Sequence, residues 1–239
     1  MNQLESTLKQ LRLHGMGTCW QALTETRKHH ELSLVEGLQL LLQAELENRI
    51  DNRYQRLRKS AKFRYTAFIE EIKIDAARGL TQSQIAEYAT GQYLDKGESI
   101  LITGATGCGK SFLASALGHQ ACSQGHKVAY FNVQKLLIKT KMARADGSIY
   151  KLFEHLAQIK LLILDDFGLT HLERQQQMDL MEMIEDRHAR NSTIIVSQLP
   201  VASWYEIIGE ATIADAILDR MVHTSHRIEL RGESLRKKL

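Results

Sequence analysis

Eight consecutive residues near the middle of the chain have the types and spacing of a phosphate-binding loop. The segment Gly104-Ala105-Thr106-Gly107-Cys108-Gly109-Lys110-Ser111 reads G-x-x-x-x-G-K-S and follows an apolar run at residues 99–103. Glycines in such a loop let successive main-chain N–H groups curl around a polyphosphate. The helix expected to open at Lys110 points its positive end at the same anion. The pattern therefore predicts that the chain binds a nucleoside triphosphate.

The predicted ligands of this loop are a nucleoside triphosphate and Mg²⁺. Lys110 is expected to reach the β- and γ-phosphates, and the Ser111 hydroxyl to bind the metal ion. The alternative is a chance match on a flexible glycine turn, which the strand before the loop and the helix after it disfavour. The predicted nucleotide contacts are Gly104, Ala105, Thr106, Gly107, Cys108, Gly109, Lys110, Ser111 and Phe112.

Two carboxylates follow a second apolar run about fifty residues after the loop. Residues 161–164 read Leu-Leu-Ile-Leu, and Asp165 and Asp166 come directly after them. In an open α/β sheet ligands bind at the carboxyl ends of the strands. We therefore expect Asp165 to hold Mg²⁺, directly or through water, and Asp166 to orient or deprotonate the water that attacks the γ-phosphate.

Two further positions in the sequence carry polar side chains that could act on the nucleotide. Ser197 and Gln198 end the apolar run at 194–196, where they would reach the attacking water or the γ-phosphate; alternatively the strand simply runs out into the loop at Pro200. Arg220 lies near the end of an amphipathic helix. It is either a functional arginine or a surface residue paired with Asp215 or Asp219.

Basic residues are concentrated between positions 49 and 64, with Tyr54 and Phe63 among them. A basic stripe with aromatic side chains suits contact with phosphates and bases. The alternative is a solvated helix face followed by a linker. The candidate DNA-binding residues are Arg49, Arg53, Arg56, Arg58, Lys59, Lys62 and Arg64.

Length and composition set outer limits. The chain has 239 residues, is 44% hydrophobic and carries a net charge of +3, which allows one large domain or one domain with a small appendage. No apolar stretch approaches membrane-spanning length and the amino terminus lacks the order of a signal peptide. We therefore expect a cytoplasmic protein with no membrane partner, whose three cysteines are reduced thiols.

The spacing of apolar residues predicts two kinds of structure. Residues 1–90 read as helices without strands, with capping boxes at Ser33-x-x-Glu36 and Thr81-x-x-Gln84. Beyond residue 95 the pattern alternates between strand and helix, and near-continuous apolar strands indicate a parallel sheet covered on both faces. The predicted strands are 99–103, 128–132, 161–165, 193–197 and 227–230, and the predicted helices between them are 133–143, 149–159, 175–189 and 212–222.

These motifs together resemble the IstB-type ATPases, AAA+ helper proteins encoded beside the transposase in a class of bacterial insertion sequences. The resemblance runs nearly end to end and is most specific in the pair of motifs near the carboxyl terminus, which IstB shares with the helicase loader DnaC. Its residues are Leu11-Arg12-Leu13-His14-Gly15-Met16, Ala61-Lys62-Phe63, Arg78-Gly79-Leu80, the phosphate-binding loop, Gly125-His126-Lys127-Val128, Asp165-Asp166-Phe167-Gly168, Ser197-Gln198-Leu199-Pro200, Trp204, Leu218-Asp219-Arg220-Met221 and Gly232-Glu233-Ser234-Leu235-Arg236.

The resemblance implies roles for single residues. Asp165 and Asp166 match the Walker B pair, although many AAA+ proteins have glutamate at the second place. Ser197 and Gln198 stand at the sensor I position, and either could make the contact. Arg220 matches the arginine finger that acts on the nucleotide of a neighbouring subunit, and Arg236 matches the sensor II arginine. Since the chain ends at Leu239, the helical lid domain that usually bears this arginine is not expected.

The resemblance also implies architecture and function. It predicts a helical domain over residues 1–90 and an AAA+ P-loop core over 91–239, in which the sensor strand lies between the P-loop and Walker B strands. The implied activity is ATP hydrolysis by a homo-oligomer that assembles on double-stranded DNA and recruits or stimulates a transposase. The alternatives are a DnaC-like loader of the replicative helicase, and a DNA-binding module that uses ATP only as a structural ligand.

Overall fold

The computed structural model describes residues 3–223 and 225–235. Contacts divide the chain into two compact units, with the division between Arg56 and Leu57. The sequence pattern places the boundary at residues 90/91 instead. The two differ because residues 57–90 contact the α/β elements: the Ala89 carbonyl, for example, accepts hydrogen bonds from the side chains of Gln120 and Gln124.

The first unit is helical, as the sequence predicts. It contains α1 (Gln3–Gln10), α2 (His14–Glu25) and most of the long helix α3 (Leu34–Ala61). The predicted capping box at the start of α3 is present, since the Glu36 carboxylate accepts from the Ser33 N–H and the Glu36 N–H donates to the Ser33 hydroxyl. This reciprocal pair satisfies donors that the first turn of a helix leaves free.

A close contact between α2 and α3 explains the glycine in the first motif of the chain. The main-chain N–H groups of Gly15 and Met16 donate to the Glu45 carboxylate at 2.8 and 3.3 Å. A Cβ at Gly15 would lie 2.4 Å from the Ala44 carbonyl oxygen, so only glycine permits the approach. Glu45 is buried, and its hydrogen bond from Arg49 lowers the pKa of the carboxyl group.

The second unit contains a five-stranded sheet in which every pair is parallel. Its strands are β1 (Ser99–Gly104), β2 (Val128–Asn132), β3 (Leu161–Phe167), β4 (Ser192–Ser197) and β5 (Ser225–Leu230), in the order β2-β3-β4-β1-β5. Strand β4 therefore lies between β3, which carries the Walker B residues, and β1, which leads into the P-loop. This confirms the predicted position of the sensor strand.

Helices cover both faces of the sheet. Leu101, Leu162 and Ile195 belong to a core that includes apolar residues of the helices after β2. Alternate residues such as Ile163 point the other way, toward α6. The helices of this unit are α4 (Gln82–Thr90), α5 (Gln92–Lys96), α6 (Lys110–Ser123), α7 (Val133–Ala145), α8 (Ile149–Ala157), α9 (Arg174–Arg187), α10 (Trp204–Ile208) and α11 (Ala211–Val222).

The predicted strands and long helices are confirmed to within two residues at nearly every end. The capping box at Thr81 and the helix stop at Gly91, whose φ is 80°, are also as predicted. The short helices α5 and α10 are not foreseen in the sequence. Within residues 3–223 and 225–235, no α-helix follows β5, and no helix combines the length and apolarity needed to cross a membrane.

Candidate functional site

The phosphate-binding loop joins the end of β1 to the start of α6, as the sequence predicts. Gly104, Gly107 and Gly109 have φ values of 142°, 83° and 98°, which side chains other than glycine rarely adopt. Added Cβ atoms at Gly104 and Gly107 would lie 2.1 Å from the Leu230 carbonyl oxygen and 2.2 Å from the Ser234 hydroxyl. Glycine is therefore required in this loop for two reasons, the main-chain conformation and the close packing of neighbouring atoms.

The Lys110 ammonium lies within the curve of the loop. Its Nζ donates to the carbonyl oxygens of Gly104 and Ala105, both at 2.7 Å, and the residue is 7% exposed. The loop therefore holds a buried cation at the place where the helix axis of α6 begins. A phosphate oxygen is an acceptor of the kind that such an ammonium binds in place of neutral carbonyls.

Asp165 forms the centre of a hydrogen-bond network at the end of β3. Its Oδ1 accepts from the Ser111 hydroxyl at 3.1 Å and from the Asp166 N–H at 2.9 Å, and its Oδ2 accepts from the Tyr130 phenol. Asp165 is 1% exposed. Burial, together with this contact to a carboxylate, raises the pKa of Tyr130, so the phenol remains a donor.

The same atoms fit the requirements of Mg²⁺. A hydroxyl and a carboxylate are hard oxygen ligands, and Mg²⁺ usually takes one or two of these from the protein while water and phosphates complete its shell. Ser111 and Asp165 supply such a pair beside the loop. In the described part of the chain there is no group of three or more His, Cys, Asp or Glu side chains arranged to hold a metal by themselves.

Asp166 is presented by an irregular stretch of β3. Its φ is 60°, and the register between β3 and β4 shifts between Leu164 and Phe167. The turn of the main chain aims its carboxylate away from the core, where Oδ2 accepts from the Asn132 side chain at 3.0 Å and from Arg64 at 3.1 Å. Asp166 thus faces the site with a partly exposed carboxylate, as its predicted role in activating water requires.

The two candidates for sensor I make different contacts. The Gln198 side chain accepts a hydrogen bond of 2.8 Å from Thr106 at the tip of the phosphate-binding loop. The Ser197 hydroxyl is buried; it donates to the Phe167 carbonyl and accepts from the Leu199 N–H. The structure therefore brings Gln198 to the loop, whereas the Ser197 hydroxyl is engaged by main-chain groups.

Arg220 lies on α11 and has partners other than the phosphate-binding loop. Its Nε pairs with the Glu185 carboxylate on α9, and its Nη1 donates to the Ala216 carbonyl at 3.0 Å. The predicted surface pairing with Asp215 or Asp219 is not the one observed; instead, Asp219 lies 3.1 Å from His223. Arg220 also lines an open surface depression of about 650 Å³.

The basic residues of segment 49–64 are in different surroundings. Arg49 is mostly exposed and pairs with Glu45 at 2.7 Å. Arg53, Arg56, Arg58 and Lys59 lie on α3, which ends at Ala61, and Lys62 follows with a φ of 57°. Arg64 departs from the DNA-binding prediction, because its guanidinium contacts Asp165 at 3.3 Å and Asp166 at 3.1 Å. Arg64 therefore lies beside the candidate nucleotide-binding residues, through a pairing across about a hundred residues that no local pattern signals.

An apolar cavity beside the loop is likewise not signalled by the sequence. It has a volume of about 260 Å³ and lies next to Cys108, Gly109 and Phe112. An apolar cavity beside a phosphate loop can take the base of a nucleotide. Arg78, at its edge, donates to the carbonyls of Cys108 and Glu233, each at 3.4 Å. The remaining lining residues are Glu71, Ile72, Lys73, Leu80, Leu113, Leu230 and Leu235.

The predicted sensor II residue, Arg236, lies outside the described residues. The segment just before it reaches the loop, because the Leu235 N–H donates to the Gly107 carbonyl at 2.9 Å. Of the motif that contains Arg236, the residues up to Leu235 therefore lie beside the phosphate-binding loop.

A family model described as IstB-like ATP binding protein matches residues 6–239. The chain belongs to this family. A relative from Sinorhizobium fredii, named "Putative insertion sequence ATP-binding protein y4pL", is 43% identical over 230 residues, which are 96% of this chain and 94% of the relative. The "Insertion sequence IS21 putative ATP-binding protein" of Pseudomonas aeruginosa is 27% identical and covers 100% of this chain and 90% of its own length.

Solved structures confirm the fold of this IstB-like chain. The DnaC helicase loader superposes with a TM-score of 0.57 at 16% identity, over 70% of this chain and 98% of the loader. AMPPCP-bound DnaA from Aquifex aeolicus gives a TM-score of 0.59 at 15% identity, over 74% of this chain and 55% of DnaA. The predicted AAA+ P-loop fold with a central parallel sheet is therefore confirmed.

Proposed function

We propose that this chain is an ATPase that assembles on double-stranded DNA and recruits or stimulates the transposase of an insertion sequence. Membership of the IstB-like family and the insertion-sequence names of its relatives support this proposal. The single observation that carries the catalytic part is the convergence of Lys110, Ser111, Asp165 and Asp166 around one edge of the sheet.

The proposed hydrolysis uses residues from neighbouring strand ends. Lys110 and the loop N–H groups bind the phosphates, while Ser111 and Asp165 hold Mg²⁺, which supplies charge stabilisation to the phosphoryl group as it transfers. Asp166 accepts the proton of the attacking water, with its carboxylate oriented by the Asn132 amide. Gln198 contacts the loop tip, so that binding of the γ-phosphate would change the position of this side chain at the end of β4.

The proposed active site is completed by a second copy of the chain. Arg220 pairs with Glu185 and lies on an open surface depression. An arginine supplied from a neighbour stabilises the charge of the transition state. A shared site explains why ATP would promote assembly and why hydrolysis would release it.

The proposed DNA contact lies on helix α3 and the residues after it. Arg53, Arg56, Arg58, Lys59 and Lys62 would neutralise phosphates without reading sequence. Arg64 is left out of this set because its charge is engaged by Asp165 and Asp166. Many copies of this basic segment along one duplex would convert later contacts into intramolecular ones.

A co-sedimentation experiment on immobilised duplex DNA tests the function as a whole. The chain is mixed with the transposase encoded beside it, with ATP, ADP or a slowly hydrolysed ATP analogue. We expect the analogue to retain both proteins on DNA, ATP to retain them transiently, and Lys110→Ala to retain neither. Retention of the host replicative helicase instead of the transposase would favour the loader function, and DNA binding that is independent of nucleotide would contradict both.

A further inference from the structure

We propose that Arg64 competes with Mg²⁺ for the carboxylates at the end of β3, so that metal binding releases the segment around Arg64 from the nucleotide site. This inference rests on the proposed ATP and Mg²⁺ site. It goes further by linking metal binding to the attachment of residues 63–71, the segment that precedes the α/β core.

Arg64 engages both carboxylates with one nitrogen. Its Nη1 lies 3.3 Å from Oδ2 of Asp165 and 3.1 Å from Oδ2 of Asp166. The Asp165 side chain is 1% exposed and that of Asp166 is 23% exposed, whereas the Arg64 side chain is 42% exposed. The contact therefore joins an accessible cation to a largely buried pair of anions.

Charge explains why one cation excludes the other. Two adjacent carboxylates repel each other and are stabilised by a nearby positive charge. Asp165 offers its other oxygen to the Ser111 hydroxyl, so a metal held by Ser111 and Asp165 would share this carboxylate with the guanidinium. A divalent ion and a guanidinium a few ångströms apart in a partly buried site repel each other strongly. Each cation therefore weakens the binding of the other.

The main chain on both sides of Arg64 is attached to α6. The Phe63 ring packs on His119 with a centroid distance of 4.3 Å, and the Tyr65 carbonyl lies 3.3 Å from Nε2 of His119. Gly118 leaves the space for this packing, since a Cβ there would lie 2.4 Å from Cε1 of Phe63. His119 is itself buried.

This attachment gives the competition a structural consequence. Helix α6 begins with Lys110 of the phosphate-binding loop, and residues 69–71 form a 3₁₀ turn that also packs on α6. Arg64 thus ties this segment to β3, while Phe63 and the Tyr65 carbonyl tie it to α6. Because coupling between two binding events is reciprocal, Mg²⁺ that weakens the Arg64 ion pairs loosens the segment, and loss of Arg64 strengthens metal binding.

A magnesium titration tests the first half of the inference. Binding of a fluorescent, slowly hydrolysed ATP analogue is followed as Mg²⁺ is added to the full chain, for wild type, Arg64→Gln and Arg64→Lys. We expect half-saturation at about three- to tenfold lower Mg²⁺ in Arg64→Gln, since a partly exposed charge is removed. Arg64→Lys keeps the charge and should stay close to wild type. Lys141→Gln, which removes an exposed charge from α7, is the matched control and should not change the curve.

Hydrogen exchange tests the second half. In wild type, amides of residues 63–71 should exchange faster with the analogue plus Mg²⁺ than with the analogue plus a chelator. In Arg64→Gln they should exchange fast in both conditions, while the centre of β3 stays protected in all samples.

The outcomes separate the inference from the proposed function. An Arg64→Gln curve that overlays wild type or shifts to higher Mg²⁺, with the analogue still binding, overturns the competition alone. Failure of wild type to bind the analogue overturns the proposed nucleotide site as well. If Arg64→Gln does not fold, Arg64→Lys and the wild-type exchange pattern carry the test, and exchange that is insensitive to Mg²⁺ overturns the inference.

Discussion

The Thr106 hydroxyl donates a hydrogen bond of 2.8 Å to Oε1 of Gln198, and so links the tip of the phosphate-binding loop to the end of the neighbouring strand β4. The residues are 92 positions apart in sequence but follow adjacent parallel strands. A phosphate bound in the loop would therefore act on the end of β4 through this hydrogen bond.

This contact separates the roles of two neighbouring residues. Gln198→Ala should keep the fold and nucleotide binding but slow ATP hydrolysis by about tenfold or more, because it removes the polar group that contacts the tip of the phosphate-binding loop beside the proposed γ-phosphate position. Ser197→Ala should instead lower the free energy of unfolding by about 1–3 kcal/mol, since it takes a hydrogen-bond partner from the buried Phe167 carbonyl and from the partly buried Leu199 N–H. Hydrolysis rates and urea unfolding of both variants check this, and the reverse pattern would make Ser197 the sensor.

Asp166→Asn should separate nucleotide binding from turnover. Asparagine accepts the left-handed main-chain conformation found at this position, so the fold should be kept. Hydrolysis should fall by about 10²-fold or more, the scale for loss of a general base. The measurement is phosphate release at saturating ATP, with Glu173→Gln as a control that removes a carboxylate from an exposed position. A slow Glu173→Gln beside a normal Asp166→Asn would move the catalytic base to Glu173.

Arg220→Ala should bind ATP normally but hydrolyse it poorly, because in the proposed shared site its guanidinium acts on the nucleotide of a neighbouring subunit. Turnover per subunit in wild type should rise with protein concentration. Mixing Arg220→Ala with Lys110→Ala should restore part of the activity, since the first chain brings an intact loop and the second an intact arginine. Arg231→Ala removes an exposed arginine paired with Glu229 and serves as the control. A constant rate in a protein shown to be monomeric would refute the shared site.

The DNA proposal makes a quantitative prediction about salt. Removal of one phosphate-binding side chain should reduce the slope of log affinity against log salt by about 0.9 on duplex DNA of any sequence. Arg56→Ala and Lys59→Ala should each show this change in anisotropy titrations made without nucleotide and Mg²⁺. Arg64→Ala should not show it under those conditions, since its guanidinium is bound to Asp165 and Asp166. An unchanged slope in the double variant of Arg56 and Lys59 would show that this face of α3 is solvated and does not contact DNA.

His119 predicts a pH-dependent contribution to stability. Burial lowers the pKa of His119 from 6.5, and the nearby charge of Arg58 acts in the same direction, although the hydrogen bond with the Tyr65 carbonyl opposes them. The unfolded chain therefore takes up this proton more readily than the folded one, and stability is lost as pH falls below 6.5.

Urea unfolding at two pH values, about one unit above and one unit below the ordinary histidine pKa, checks this sign. The stability advantage of wild type over His119→Gln should shrink at the lower pH, because glutamine does not titrate. An advantage that is constant or larger at the lower pH would show that the imidazole is not held neutral.

Most of the fold could be predicted because its signals are local. Near-continuous apolar runs mark the strands, and paired polar residues mark helix starts at Ser33 and Thr81. The order of the strands came from the family resemblance and not from periodicity. Helix α5 was missed because it has only five residues and lies between Gly91 and Gly97, both with positive φ, where a turn is the simpler expectation.

Sequence patterns predict only those residues of the candidate site that belong to recognisable motifs. Lys110, Ser111, Asp165 and Asp166 belong to short patterns, and the structure brings them together. Arg64 was assigned to DNA because the basic residues appear continuous in sequence. In the structure α3 ends at Ala61 and the chain turns at Lys62, so the next arginine points to a different surface. Long-range contacts that carry no sequence signature also bring in Tyr130, Asn132 and Arg78.

The left-handed main chain at Asp166 also bears on how this family can diverge. Aspartate and asparagine tolerate that conformation better than most residues with longer side chains. Replacement of Asp166 by glutamate, a chemically conservative change, would therefore cost conformational energy before the longer carboxylate reached any water. A regular strand, without the register shift between Leu164 and Phe167, would remove this cost. The main-chain conformation of β3 therefore limits the length of the acidic side chain that this position can carry.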